Sequence, residues 1–317
     1  MNAIEKRVEE QMKKRPLAEQ GRAPGPGSIM WDTFSDMTLM PFTVPILVMQ
    51  TAHPDVGAAV AKYSVYKKDP WGRMFRTASS LMRFLYGGDG GKQSNREAVD
   101  LRKLHSQIKG TRPDGVKYHA IHPQTFRVVP DTFLDAVIRI REALGKPLNR
   151  AEKSKLYREY VELCLLFGLR REDVEMDFDA FQVYYDDLLL NKMTYNETVQ
   201  FLLEEMIKHG PEMKYLPLPK SWWQTMYRFF IYPIIRTSTL GFLDERFREQ
   251  HNIRWSQRDQ KRYDTLLQFV KLYAALIPRP LRYNLFSLLI MAGGHGAKLM
   301  SFERLKNTIA QQQFEPS

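Results

Sequence analysis

Apolar residues recur at helical spacing through most of the chain, and the breaks between these stretches carry helix punctuation. Pro54 suits the first turn of a helix over 55–66. Asp69-Pro70 opens a helix over 71–86, and Gly87-Gly-Asp-Gly-Gly91 ends it. Ser94 or Asn95 starts another, running to 107–108 and closed by Gly110. In Asn149-Arg-Ala-Glu152 an N-cap Asn is followed three residues on by Glu, a capping box for a helix ending at Gly168. Segments 196–209, 221–237, 256–277 and 280–291 also read as helices. The stretch 116–119, after the Pro113-Asp-Gly115 turn, reads as extended. Arg22-Ala-Pro-Gly-Pro-Gly-Ser28 is a linker. Residues 1–30 are therefore expected to be a charged arm plus linker, and 31–317 one helical body without internal repeats. The expected fold is all-α, a single large domain of about a dozen helices.

Two long apolar stretches test for a membrane span. Met37 to Pro54 is uncharged but contains Pro41, Pro45, Gln50 and His53. Trp222 to Leu243 is broken by Arg228 and Arg236. Neither offers the roughly 20 clean apolar residues a span needs. Met1 to Gly21 is charged and has no apolar h-region, so no secretory signal is expected. The chain reads as cytoplasmic, free or attached peripherally to a membrane. Trp222-Trp223, Tyr227, Phe229-Phe230 and Tyr232, interleaved with Arg228 and Arg236, would suit an interfacial helix.

Composition narrows the class. Of 317 residues 44% are hydrophobic and 12% aromatic, enough for a sizeable core, which excludes wholesale disorder. The net charge of +11 is unevenly spread. Residues 67–127 hold 13 basic and 5 acidic side chains, 214–282 the same numbers, and 128–213 between them hold 11 and 17. A solvated coat needs no such blocks, whereas an anionic ligand or surface would. The single cysteine, Cys164, excludes disulfides and thiolate clusters, and its apolar setting predicts an inert buried thiol.

Several chemistries are absent from the sequence. No Gly-rich loop precedes Lys-Ser/Thr, no GxGxxG joins a strand to a helix, and no HExxH occurs. The seven histidines lack zinc spacing, and there are no ExxH repeats for a di-iron bundle. Basic residues interleave with large apolar ones, as in Arg73-Met-Phe-Arg76 and Arg83-Phe-Leu-Tyr86. That favours a buried anion over an exposed nucleic-acid stripe, so no nucleic-acid partner is expected.

On a helix, Arg73, Arg76 and Thr77 project to one side and Ser80 continues the stripe, with Met74, Phe75, Ala78 and Leu81 around it. Two guanidiniums in an apolar setting want carboxylates. Further on, Arg102 and His105 share a face, flanked by Leu101 and Leu104. A neutral imidazole there can ligate iron through one nitrogen while the other donates to an acceptor. Haem meets both demands: one axial ligand, guanidiniums for two propionates and an apolar slot for the ring. On the residues alone, a lone helical histidine is more often a hydrogen-bonded core residue than a ligand, and paired arginines are more often salt-bridged, here to the acidic block.

Gln50-Thr-Ala-His-Pro-Asp-Val56, Asp69-Pro-Trp-Gly-Arg-Met-Phe-Arg-Thr77, Leu101-Arg-Lys-Leu-His105, Gly110 and Asp114-Gly-Val-Lys-Tyr118 follow in an order that resembles the latex-clearing-protein and MpaB-type oxygenases. The resemblance extends through 149–168 to Ile277-Pro-Arg-Pro-Leu-Arg282, covering roughly 40–290. It implies an all-α, b-type haem protein that acts with O2 on an apolar small molecule: a terpenoid, lipid or aromatic. By the same resemblance His105 is the axial iron ligand, and Arg73, Thr77 and Arg102 are polar residues of the haem pocket. Arg76 stands where rubber-cleaving members place a distal Lys. Those members also use an upstream Glu as base, and this chain has no Glu between Glu19 and Glu97. With no CxxCH, attachment of haem b would be non-covalent. The rival expectation is a non-enzymatic haem or lipid-binding protein associated peripherally with membranes.

Overall fold

A computed structural model describes residues 21–64, 66–86, 92–174, 177–211, 219–284 and 287–288. Helix α1 (Ile29–Phe34) leads through a 3-10 turn (Met37–Phe42) into α2 (Thr43–Ala52), and every residue of α2 from Val44 to Ala52 is buried. The uncharged run of the sequence is thus the central helix. Its apolar side chains meet α3 (Pro54–Tyr63), α7 (Val128–Ala143), α10 (Glu197–Phe201) and α13 (Tyr232–Phe242) on different sides. A helix apolar all round belongs in the middle of a bundle.

Between α3 and α7 come α4 (Pro70–Tyr86), α5 (Lys92–His105) and α6 (Pro123–Phe126). The short hairpin β1 (Lys109–Thr111) and β2 (Lys117–His119) pairs Gly110 with Tyr118. Any Cβ at Gly110 would sit 2.8 Å from the Tyr118 hydroxyl, so the glycine is dictated by that contact. Helix α8 (Arg150–Phe167) carries the expected capping box: the Asn149 side chain accepts from the Glu152 amide, and the Glu152 carboxylate accepts from the Asn149 amide. It ends on Gly168 at φ 94°. Then follow α9 (Phe178–Asp187), α11 (Ile207–His209), α12 (Lys220–Met226), α14 (Glu245–Gln250) and α15 (Gln257–Leu276). The all-α expectation holds, and among the described residues no helix is long and apolar enough to cross a membrane.

Three π turns, Leu188–Lys192, Leu202–Met206 and Tyr227–Ile231, interrupt the later helices. The expected helix over 280–291 starts as a 3-10 turn, Arg279–Arg282. The arm over 1–20, the 87–91 turn and most of 285–317 lie outside the described residues. The linker is stitched to the body. The amides of Ile29 and Met30 both donate to the Glu159 carboxylate at 2.9 Å, and Lys155 donates to the Gly27 carbonyl. Cys164 is buried, and burial pushes its thiol well above the ordinary value, as an inert core thiol requires.

Candidate functional site

Helices α4 and α5 form an antiparallel pair whose register is set by side chains. The Ser94 hydroxyl donates to the Arg83 carbonyl, and the Glu97 carboxylate takes the Ser80 hydroxyl and the Arg83 guanidinium (3.2 Å). Continuing that register, the start of α4 lies beside the end of α5, and Arg73 comes within electrostatic range of His105. Of the helical face read from the sequence, Arg73 is the residue that comes near the proposed ligand across the hairpin.

The His105 ring is oriented from two sides. Its Nδ1 lies 2.7 Å from the Leu101 carbonyl oxygen, which can only accept, so the proton is on Nδ1 and the lone pair on Nε2. Phe126 of α6 meets the ring edge-on at 5.5 Å, and Phe126, Phe167 and Phe84 continue as an aromatic wall with centroids 5.6 and 4.3 Å apart. Burial, then Arg73, holds the imidazole below its ordinary value, against the opposing effect of the Leu101 bond. His105 is thus a neutral donor with Nε2 available. No group of three or more His, Cys, Asp or Glu among the described residues could hold a metal ion, which leaves His105 as a lone imidazole donor.

Arg73 is densely surrounded yet keeps partial accessibility, as does His105. Among the described residues no carboxylate pairs with Arg73. Burial and neighbouring Arg76 push its guanidinium down to about 10. A crowded, half-buried cation near a second cation and an imidazole favours an anion. Thr77 stands one turn along, half-buried.

The remaining candidates behave differently. Arg76 turns back to Asp69 at 2.9 Å, and Asp69 also caps the helix by accepting from the Gly72 amide. The Arg102 guanidinium donates to the Gly168 carbonyl and lies 3.4 Å from the Phe167 carbonyl, at the negative end of α8. It ties α5 to α8 just before the axial candidate. Sequence reasoning missed the three phenylalanines, which are distant in the chain, and Glu97, whose only advance sign was a lone Glu in a basic block. His53, at the α2–α3 junction, is buried with no hydrogen-bond partner for Nδ1, and burial pushes it down to about 4.

Comparison with known proteins identifies the family. The family described as ER-bound oxygenase mpaB/B'/rubber oxygenase, catalytic domain, matches residues 31–272. Uncharacterized proteins of Mycobacterium bovis and Mycobacterium tuberculosis are each 25% identical over 236 residues, covering 73% of this chain and 87% of theirs. No solved structure matches.

Proposed function

The chain belongs to the mpaB/rubber oxygenase catalytic-domain family, and on that premise we propose that it is a haem-b-dependent oxygenase acting with O2 on an apolar small molecule, a terpenoid, lipid or aromatic. One observation carries the cofactor assignment: an anion-seeking guanidinium, Arg73, stands beside a neutral imidazole, His105, whose Nε2 is available. Haem is an anion at its propionates and a one-ligand metal centre at its iron, so the two groups fit it together. In this reading His105 would hold the iron and Arg73 a propionate, with Phe126, edge-on to the imidazole, beside the ring. When bound, haem supplies O2 binding and redox chemistry.

The protein's own contribution is positional and electrostatic. The Leu101 carbonyl keeps the His105 proton on Nδ1 and so aims Nε2. Arg102, fixed on the last carbonyls of α8, keeps the end of α5 in place. Arg76 forms an ion pair with Asp69 at the start of α4. It donates hydrogen bonds and charge but does not act as a base.

Pyridine haemochrome analysis of protein expressed with ample haem precursor tests the assignment. It should give b-type haem near one equivalent per chain, and His105→Ala should lose it while helical circular dichroism persists. Full haem with an unchanged Soret band in that variant would refute the ligand. O2 uptake by the ferrous protein separates the oxygenase from a non-enzymatic haem or lipid carrier on the same frame.

A further inference from the structure

Lys220 to Phe242 runs as one continuous helical segment: α12, the Tyr227–Ile231 π turn and α13. One of its faces is seated on the body. Tyr227 is 2% exposed and donates to the Ile207 carbonyl, Trp223 donates to the Pro211 carbonyl, and Ile231 and Ile235 pack against the core. The residue before each of these, Trp222, Met226, Phe230 and Ile234, points away from the body, joined by Phe229. Their exposures are 71, 38, 69, 51 and 66%. The wider π turn keeps a four-residue repeat from drifting around the helix, so the outward side chains stay in one stripe. An ordinary surface helix would be polar there.

The charge around the stripe is one-sided. From Met213 to Leu243 the sequence has no Asp or Glu and four cations: Lys214, Lys220, Arg228 and Arg236. Arg236 is paired with Asp259 at 3.3 Å. Lys220 and Arg228 are exposed and have no anionic partner among the described residues, and the Arg228 guanidinium lies over the Phe229 ring at 5.9 Å. Large aromatic and aliphatic side chains flanked by cations, with no acidic residue in the same stretch, have the composition of an interfacial membrane helix. A bilayer with anionic headgroups takes both, with aromatic rings at the acyl boundary and cations at the phosphates.

We infer that the outward stripe of Trp222, Met226, Phe229, Phe230 and Ile234, with Lys220 and Arg228, docks the protein on an anionic lipid bilayer. The surface is peripheral, because the segment remains anchored to the core through Tyr227 and Ile235. The inference goes beyond the haem reading and does not rest on it: none of these residues belongs to the Arg73–His105 site.

Cosedimentation of the full-length protein with phosphatidylcholine vesicles, with and without phosphatidylserine, is the test. Binding should require the anionic lipid and weaken with salt. Phe229→Glu combined with Phe230→Glu should reduce partitioning at least ten-fold, and Arg228→Glu several-fold on anionic vesicles alone, with helical circular dichroism and haem content unchanged. Brominated lipid should quench the fluorescence that Trp222→Phe removes. Absence of sedimentation, or equal binding by the double Phe variant, overturns the inference. So does a dimer that the double Phe variant dissolves, which would give the face to a second copy. Trp222 emission shielded from acrylamide before vesicles are added would give it to another segment of the chain.

Discussion

A guanidinium confined beside a second guanidinium costs stability until an anion joins it. This gives Arg73→Met a signature with two signs. Without cofactor the substitution removes a half-buried cation that has no carboxylate partner among the described residues, so the apo protein should gain thermal stability, by a few degrees for about 1 kcal/mol. With haem it should lose retention, read as faster transfer of haem to apomyoglobin. If Arg73 is merely a structural arginine, both measurements fall together. His53 makes a pH prediction. Its proton is bound near 6.5 in the unfolded chain but only near 4 in the fold, where burial disfavours the cation. Between those values the unfolded state binds more protons, so stability is complete above about 6.5 and declines as pH falls towards 4, by on the order of 3 kcal/mol. His105, His119 and His251 are shifted the same way. The measurable quantity is therefore a difference: urea midpoints of His53→Gln should fall less steeply over that window than those of the native chain. Parallel curves would contradict the assignment.

At the scale of elements, the site depends on the α4–α5 register more than on either helix alone. Glu97 is 5% exposed and bridges Ser80 and Arg83 from the opposite helix. Glu97→Gln keeps the shape but removes the charge. It should cost roughly 1–3 kcal/mol by denaturant titration, since a hydrogen bond to a charged group is worth about that much. Haem retention should fall with it, because Arg73 and His105 are held opposite each other by that register; retention at the native level would show the site independent of the hairpin. Which elements were legible follows from what marks them. Helix α8 has its capping box and Gly168, and α15 has the Ser256–Asp259 box, so both were readable to within a residue or two. Helices α2 and α7 have no side-chain cap, and Pro45 and Pro130 lie in their first turns. Helix α2 is also buried all round and shows no amphipathic period, so its sequence said only that it was apolar. Arg73, Arg76 and Thr77 could be placed on one face from spacing. Spacing could not tell that Arg76 pairs with Asp69 while Arg73 comes within electrostatic range of His105, because that is decided by the neighbours each side chain meets in the fold.

For the whole molecule, the question is what chemistry the family frame retains. The resemblance implies that rubber-cleaving members rely on a carboxylate base upstream of the arginine helix, and a base must be unencumbered to take a proton. Among the described residues before Glu97 the carboxylates are Asp32, Asp36, Asp55 and Asp69. Asp32 is bound to Arg279, and Asp36 to Arg282 at 2.9 Å. Asp55 is shared between Arg112 and Thr125, and Asp69 between Arg76 and the Gly72 amide. Glu97 is taken by Ser80 and Arg83. Each already has a guanidinium partner, so none stands unencumbered for a substrate proton. Arg76 in place of the distal Lys removes a second titratable group from the same surroundings. The purified, haem-loaded protein is therefore expected to produce little or no oligo-isoprenoid aldehyde from latex, while consuming O2 with smaller apolar substrates. Chromatography of carbonyl products from a latex emulsion decides it, with a rubber-cleaving enzyme run alongside as the positive control. Robust aldehyde formation would mean that one of these paired carboxylates releases its partner during turnover.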